Sequence, residues 1–215
     1  MCEKLPHYKL YYFDIRGLAE PIRLSFAHAG VPFEDVRLKH EEWPQLKEKM
    51  PFGQVPVLEV DGKQLTQSMS ILRYIARKYG LEADDEWDRA VGDELATSWL
   101  DMYTRSASAW GEPDKELKKQ KFLQVIEEFV KPRLKIMDDR ISHNSAGFVA
   151  GSKVTWCDFA IYNTLTMIRD FLKVSLSEFP HLEKFVHKIE ALPKVKEWQA
   201  NHPNTQWSVF PSPLD

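Results

Sequence analysis

Two spacings of apolar residues divide the chain. Between His7 and Leu65 they come in short runs broken by turn residues, and beyond Asp88 they recur every three or four positions. His7 to Phe13 predicts an aromatic-rich strand that ends at the polar loop Asp14-Ile15-Arg16-Gly17. A helix follows, with Pro21 near its start, Ile22, Leu24, Phe26 and Ala29 on its face, and Gly30 closing it. Val31 to Leu38 predicts a second strand with interleaved charges, and Glu41 to Met50 a short amphipathic or irregular segment carrying Trp43 and Lys47. Val57 to Val60, the turn Asp61-Gly62 and Lys63 to Leu65 make a hairpin. Pro56 removes a ladder donor at the start of that strand, which suits an open edge or a special turn. A cis Val55-Pro56 bond there would present the Val55 backbone outward. Gln67-Ser68 opens a helix with Ile71, Leu72 and Ile75 on its apolar face, and Ser68 is expected as its N-cap. The free N–H groups and positive dipole end of such a helix form a socket for a carboxylate. This order predicts one mixed sheet covered by helices.

Leu81 to Asp88 is acidic and lacks an apolar period, so the domain boundary is placed there, with residues 1–82 before it and 83–215 after it. Trp87, Val91, Leu95, Trp99 and Met102 form one helical stripe, and Leu117, Phe122, Ile126, Phe129, Leu134, Met137 and Ile141 another that Pro132 should kink. Thr155 and Asp158 read as a capping box ahead of Phe159, Tyr162 and Leu165. Pro180 suits the first turn of a helix whose Leu182, Phe185, Val186, Ile189 and Leu192 face inward until Pro193 stops it. Asn201 to Asp215 is expected to be irregular.

A chain of 215 residues, 43% hydrophobic, can bury two cores. Its 29 basic and 32 acidic residues give a net charge of -3, without the basic excess of a nucleic-acid surface, and no nucleic-acid partner is expected. The N-terminal residues lack the apolar stretch of a signal peptide and no later run is long enough to span a membrane, so a soluble cytoplasmic protein is expected. Only Cys2 and Cys157 are present, without CxxC, which supports neither a disulfide framework nor a zinc site nor a redox dithiol. The seven histidines show no ligand spacing, and no metal is assigned.

The stretch PFGQVPVLEVDGKQLTQS resembles the glutathione-binding half of a glutathione transferase, and YKLYYFDIRGLAEPIRLSFAHAG resembles its first strand and helix. With GSKVTWCDF near Gly151, they resemble the sigma-like branch, which includes invertebrate transferases and glutathione-dependent prostaglandin D synthases; the likeness covers nearly the whole chain. It implies a thioredoxin-like α/β N-terminal domain, an all-α C-terminal domain and a homodimer. By composition alone Tyr8, Tyr11 and Tyr12 are packing aromatics. The resemblance singles out Tyr12, four residues before Arg16-Gly17, as the catalytic tyrosine. It implies that Trp43 and Lys47 hold the glycine carboxylate of glutathione, that Gln54, Val55 and Pro56 line its backbone, and that Gln67 and Ser68 bind its γ-glutamyl carboxylate. Asp101, by default a surface charge, would reach glutathione in the partner subunit, and Trp110 is a candidate pocket wall.

Glutathione is then the co-substrate, and the expected reaction is conjugation of its thiolate to apolar electrophiles, as in detoxification. The alternatives are a prostaglandin D synthase-type isomerase and a non-catalytic ligand-binding or crystallin-like protein. Conjugation is favoured over isomerisation because Leu18 stands where the prostaglandin synthases carry an arginine. Trp110, two positions later than their aromatic, and a tail with Trp207 and Phe210 as candidate lid residues point the same way.

Overall fold

The computed structural model describes residues 5–202 and 212–215; Trp207 and Phe210 lie outside them. Strand β1, Tyr8–Phe13, buries Tyr8, Leu10 and Tyr12 and leaves the alternate residues partly exposed, the period of two expected of a strand with one covered face. It pairs in parallel with β2, Glu34–Leu38, placing Tyr12 opposite Arg37. On its other side it runs antiparallel to β3, Val57–Val60, with Leu10 opposite Leu58. Asp61 and Gly62, with φ of 49° and 82°, turn the chain into β4, Lys63–Thr66. The sheet order is β2-β1-β3-β4.

Helix α1, Glu20–Ala29, connects β1 to β2 and is buried without interruption from Glu20 to Phe26. Gly30 closes it at φ 67°, and the Val31 N–H returns to the Phe26 carbonyl at 3.0 Å. Val31 is thereby used in capping the helix, which is why the second strand begins at Glu34. The segment carrying Trp43 forms a short helix α2, Trp43–Leu46, followed by a tighter turn over Lys47–Lys49. Helix α3, Ser68–Tyr79, ends at Gly80.

Everything described beyond is helical or loop: α4 Glu86–Ser98, α5 Leu100–Trp110, α6 Lys115–Val125, α7 Lys131–Ser142, α8 Trp156–Thr166, α9 Pro180–Glu190 and α10 Pro193–Asn201. The molecule is thus an N-terminal mixed β-sheet/α domain of thioredoxin-like form followed by an all-α domain. Helix α8 is buried along its full length and packs on α1, α4 and α9. Thr155 and Asp158 make the expected capping box at its start.

Several expectations are corrected. The stripe from Trp87 to Met102 lies on two helices that meet at Trp99, and Trp87 is 76% exposed because α4 starts only one residue earlier, capped by Asp85. The stripe expected to kink at Pro132 is interrupted just before it, by a π-helical turn over Ile126–Val130 that gives way to α7 with Pro132 in its first turn. Pro193 opens α10 instead of merely ending α9, since a proline at the first helical position gives up an N–H that has no intrahelical partner.

Candidate functional site

Tyr12 sits near the C-terminal end of β1 with its ring buried, and the chain then turns sharply back so that the Leu18 N–H donates to the Tyr12 hydroxyl oxygen at 3.1 Å. Gly17 makes that return possible. Its φ is 41°, and an added Cβ would fall on the Tyr12 hydroxyl and lie 2.8 Å from its ring carbon Cε1. From the helical domain, Asn163 Nδ2 donates to the Gly17 carbonyl at 2.9 Å and fixes the turn from the other side. Because the Tyr12 oxygen already accepts one hydrogen bond, its own proton is left to be donated elsewhere. Burial pushes the Tyr12 hydroxyl above its ordinary pKa, against the opposing pull of the Leu18 N–H and the Arg23 charge. At neutral pH it is a phenol, equipped to donate a proton in a hydrogen bond and poorly suited to act as a base.

The other tyrosines of the strand have their hydroxyls engaged. Tyr11 donates to Glu59 at 3.3 Å, and Tyr8 shares a 2.6 Å hydrogen bond with Tyr79.

Trp43 stands edge-on to Phe13, the residue after Tyr12, with ring centroids 5.3 Å apart. The Lys47 side chain passes beside Gly53, where an added Cβ would lie 3.4 Å from Lys47 Cε. Trp43 is thus set beside the end of β1 and Lys47 beside the turn leading to Gln54. That turn, Pro51–Gly53, runs through Phe52 at φ 57° into Gln54 and the cis Val55-Pro56 bond.

Gln67, between β4 and α3, has φ 68° and ψ 111°, a conformation costing a non-glycine residue on the order of 1–3 kcal/mol. The expectation that Ser68 caps α3 is corrected. The Ile71 N–H bonds to the Gln67 carbonyl at 3.0 Å, which makes Gln67 the N-cap and Ser68 the first helical residue. The cap side chain accepts no hydrogen bond from the helix, so that function of the side chain is left open at this terminus. Gly17, Leu18, Ser68, Met69, Trp99 and Tyr103 border a recess of about 20 Å³ between the two domains, which brings the Tyr12 turn and the start of α3 together.

Two candidates stand apart. Asp101, in the first turn of α5, is 63% exposed and has Arg133 3.7 Å away. Trp110, at the end of α5, stacks on Phe171 with centroids 5.5 Å apart and meets Phe122 edge-on; it does not border the recess beside Leu18. A larger hollow of about 300 Å³ lies between α3 and α4, but its Arg73 and Arg77 are paired with Asp93 and Glu82. Among the described residues no group of three potential metal ligands occurs, and no helix is long and apolar enough to cross a membrane.

Arg23 and Asn163 were not singled out from the sequence, and Gly17 entered only as the landmark that locates Tyr12. A lone asparagine within the apolar run of α8 is the available signal for Asn163, whereas Arg23 reads as the polar face of an amphipathic helix until the second layer covering α1 is known.

A thioredoxin-like sheet joined to an all-helical domain, with a tyrosine hydroxyl and a helix start without a side-chain cap bordering their junction, defines the two-domain class to which the chain belongs. Comparison identifies the family within it. The glutathione S-transferase N-terminal domain matches residues 8–77 and the C-terminal domain residues 100–202. Glutathione S-transferase 1 of Ascaris suum is 37% identical over 213 residues, spanning 94% of this chain and 100% of the relative. The solved prostaglandin synthase D of Nilaparvata lugens is 35% identical, with a TM-score of 0.84 over 91% of this chain and 98% of that one. A Necator americanus glutathione S-transferase described as monomeric is 32% identical, with a TM-score of 0.80 over 93% and 99%. The chain belongs to the glutathione S-transferase family.

Proposed function

We propose that the protein is a glutathione transferase of sigma-like type that conjugates the glutathione thiolate to apolar electrophiles, and that it works as a homodimer. The observation carrying this reading is the Tyr12 hydroxyl, which accepts the Leu18 N–H and so has its own proton available for a sulfur in the cleft. Lys47 and the Trp43 indole N–H hold the glycine carboxylate; among the described residues Lys47 has no carboxylate partner of its own. The Val55 backbone pairs with the cysteinyl portion, flanked by Gln54 and Pro56. Gln67 and Ser68 take the γ-glutamyl carboxylate at the start of α3, where the dipole favours an anion. The division into domains is placed between residues 82 and 83, in the stretch joining α3 to α4.

A free thiol has a pKa of about 8.5, and a charge-assisted hydrogen bond contributes roughly 1.5–3 kcal/mol, or about one to two pKa units. That is enough to turn a few per cent of thiolate at neutral pH into a major species. The thiolate then attacks the electrophile and the leaving group departs, or the adduct takes up a proton. The Leu18 side chain supplies no cation beside the sulfur, which favours electrophiles carrying their own leaving group over an endoperoxide that must be held in one orientation.

Tyr12→Phe should lower turnover on a chloronitrobenzene by about 10- to 100-fold while glutathione affinity stays within a few-fold, because the lost bond is made mainly to the thiolate. The wild-type enzyme should have a higher specificity constant on that substrate than on prostaglandin H2. An unchanged ultraviolet thiolate titration in Tyr12→Phe would refute the role of Tyr12. A higher specificity constant on the endoperoxide, with clean D-isomer product, would make isomerisation the function.

A further inference from the structure

Glu20 and Arg23, in the first turns of α1, are completely buried. An ion taken out of water costs several kcal/mol unless its partners compensate, so the groups around Arg23 must account for its place. Its Nη1 donates to the Ile15 carbonyl at 2.7 Å and to Glu20 at 3.3 Å, its Nη2 to the Phe13 carbonyl at 3.3 Å, and its Nε to Asp35 at 3.1 Å. Both carbonyls belong to the turn between Tyr12 and Leu18. The guanidinium carbon stands 5.9 Å from the centroid of the Tyr12 ring. One cation therefore grips the turn from behind and faces the phenol held within it.

Building on the reading of Tyr12 as thiolate donor, we propose that Arg23 is the positioning residue for Tyr12: it clamps the Phe13 and Ile15 carbonyls so that the Leu18 N–H stays on the Tyr12 oxygen, and its charge strengthens the hydroxyl as a donor. The guanidinium is suited to this because its planar fork reaches two carbonyls and two carboxylates at once, which a lysine ammonium with three donors cannot. The neighbours hold the fork in place. On β2, Asp35 is shared with Arg37, which also pairs with Asp14. Within α1, Glu20 has Arg16 at 3.9 Å besides Arg23, and from α10 the Trp198 indole N–H donates to it at 3.0 Å. Arg16 in turn lies 5.8 Å from the Tyr162 ring of α8. From α5, Tyr103 also lies close enough to Tyr12 to interact with its charge. A merely architectural ion pair would hold α1 to the sheet and leave the titration of bound glutathione as it is.

The test is ultraviolet titration of the bound thiol, with glutathione affinity and turnover, in Arg23→Lys, Arg23→Gln and Tyr12→Phe. Arg23→Lys should raise the pH at which thiolate appears by about half a unit and Arg23→Gln by about one unit, with glutathione Kd within about two-fold of wild type. Turnover near pH 6.5 should fall by about three-fold and about ten-fold respectively, and recover as pH rises past the shifted midpoint, since each unit is a factor of ten in thiolate. If Arg23→Gln fails to fold, Arg23→Lys decides alone. A thiol titration in Arg23→Lys within about 0.2 units of wild type, with a clear shift in Tyr12→Phe, overturns the role of Arg23 and leaves that of Tyr12 standing. If Tyr12→Phe shifts nothing either, the underlying reading of Tyr12 fails.

Discussion

Tyr8, Tyr11 and Tyr12 share one strand and differ in what surrounds their oxygens. Tyr8 and Tyr11 are closed off by Tyr79 and Glu59, while Tyr12 accepts from a backbone N–H and keeps its proton available. The difference depends on Gly17. Gly17→Ala would force a side chain into positive φ and onto the Tyr12 ring, so turnover with glutathione should fall by at least about ten-fold and stability by about 1–3 kcal/mol. Steady-state kinetics and urea unfolding measure the two, and wild-type activity in this variant would mean that the turn can reposition without disturbing Tyr12. The family resemblance pointed to Tyr12 through its distance from Arg16-Gly17. Arg23 and Asn163 carried no comparable signal, because each bonds to carbonyls of a turn whose path becomes visible only when the second domain covers it.

Several elements follow their local cap and turn signals. Asp61-Gly62 makes the hairpin, Gly30 ends α1, and Thr155 with Asp158 opens α8, whereas the expected Ser68 cap of α3 gives way to Gln67. Signals resting on spacing alone were less reliable: apolar period does not register that Trp99 joins two helices, and proline spacing does not say whether Pro193 ends one helix or begins the next. The capping box carries a consequence for stability. The Asp158 carboxylate accepts from the Val149 N–H at 2.8 Å and the Thr155 N–H at 2.6 Å. Burial nevertheless pushes its pKa up to about 6, against those hydrogen bonds. An unfolded aspartate titrates near 3.9, so between about pH 4 and pH 6 the folded chain binds the extra proton, and this group's contribution to stability is full below that window and declines as pH rises through it. Asp158→Ala should destabilise the protein by about 2–4 kcal/mol by stranding buried N–H groups. The loss should be larger at pH 4.5 than at pH 7.5; urea unfolding at both checks it, and the reverse order would mean that the hydrogen bonds outweigh burial.

At the scale of the whole molecule, the change from short runs to helical period foretold a mixed sheet followed by helices, because each layer imposes its own spacing on the residues it buries. Association is less legible, since one chain's pattern records its own core and leaves surfaces ambiguous. Family membership does not decide it either, as a relative 32% identical to this chain is described as monomeric. Two features bear on the homodimer proposed above. Phe52, at the turn before the cis proline, is 82% exposed, an apolar ring that a second subunit would cover if the homodimer forms there. Asp101 is also largely exposed, with Arg133 beside it at 3.7 Å, and exposed pairs contribute about 0–1 kcal/mol. Removing it should therefore leave the fold intact, so a loss of activity in Asp101→Ala would report on the site. If Asp101 completes the neighbour's site, a heterodimer of Asp101→Ala with Tyr12→Phe carries one doubly damaged site and one intact site. Random mixing makes about half of the dimers heterodimers, so an equal mixture should reach about a quarter of wild-type activity, above both parents. Sedimentation of the wild-type chain at single-chain mass under assay conditions, or a mixture no more active than the mean of its parents, would assign Asp101 to its own subunit's surface and each active site to one chain.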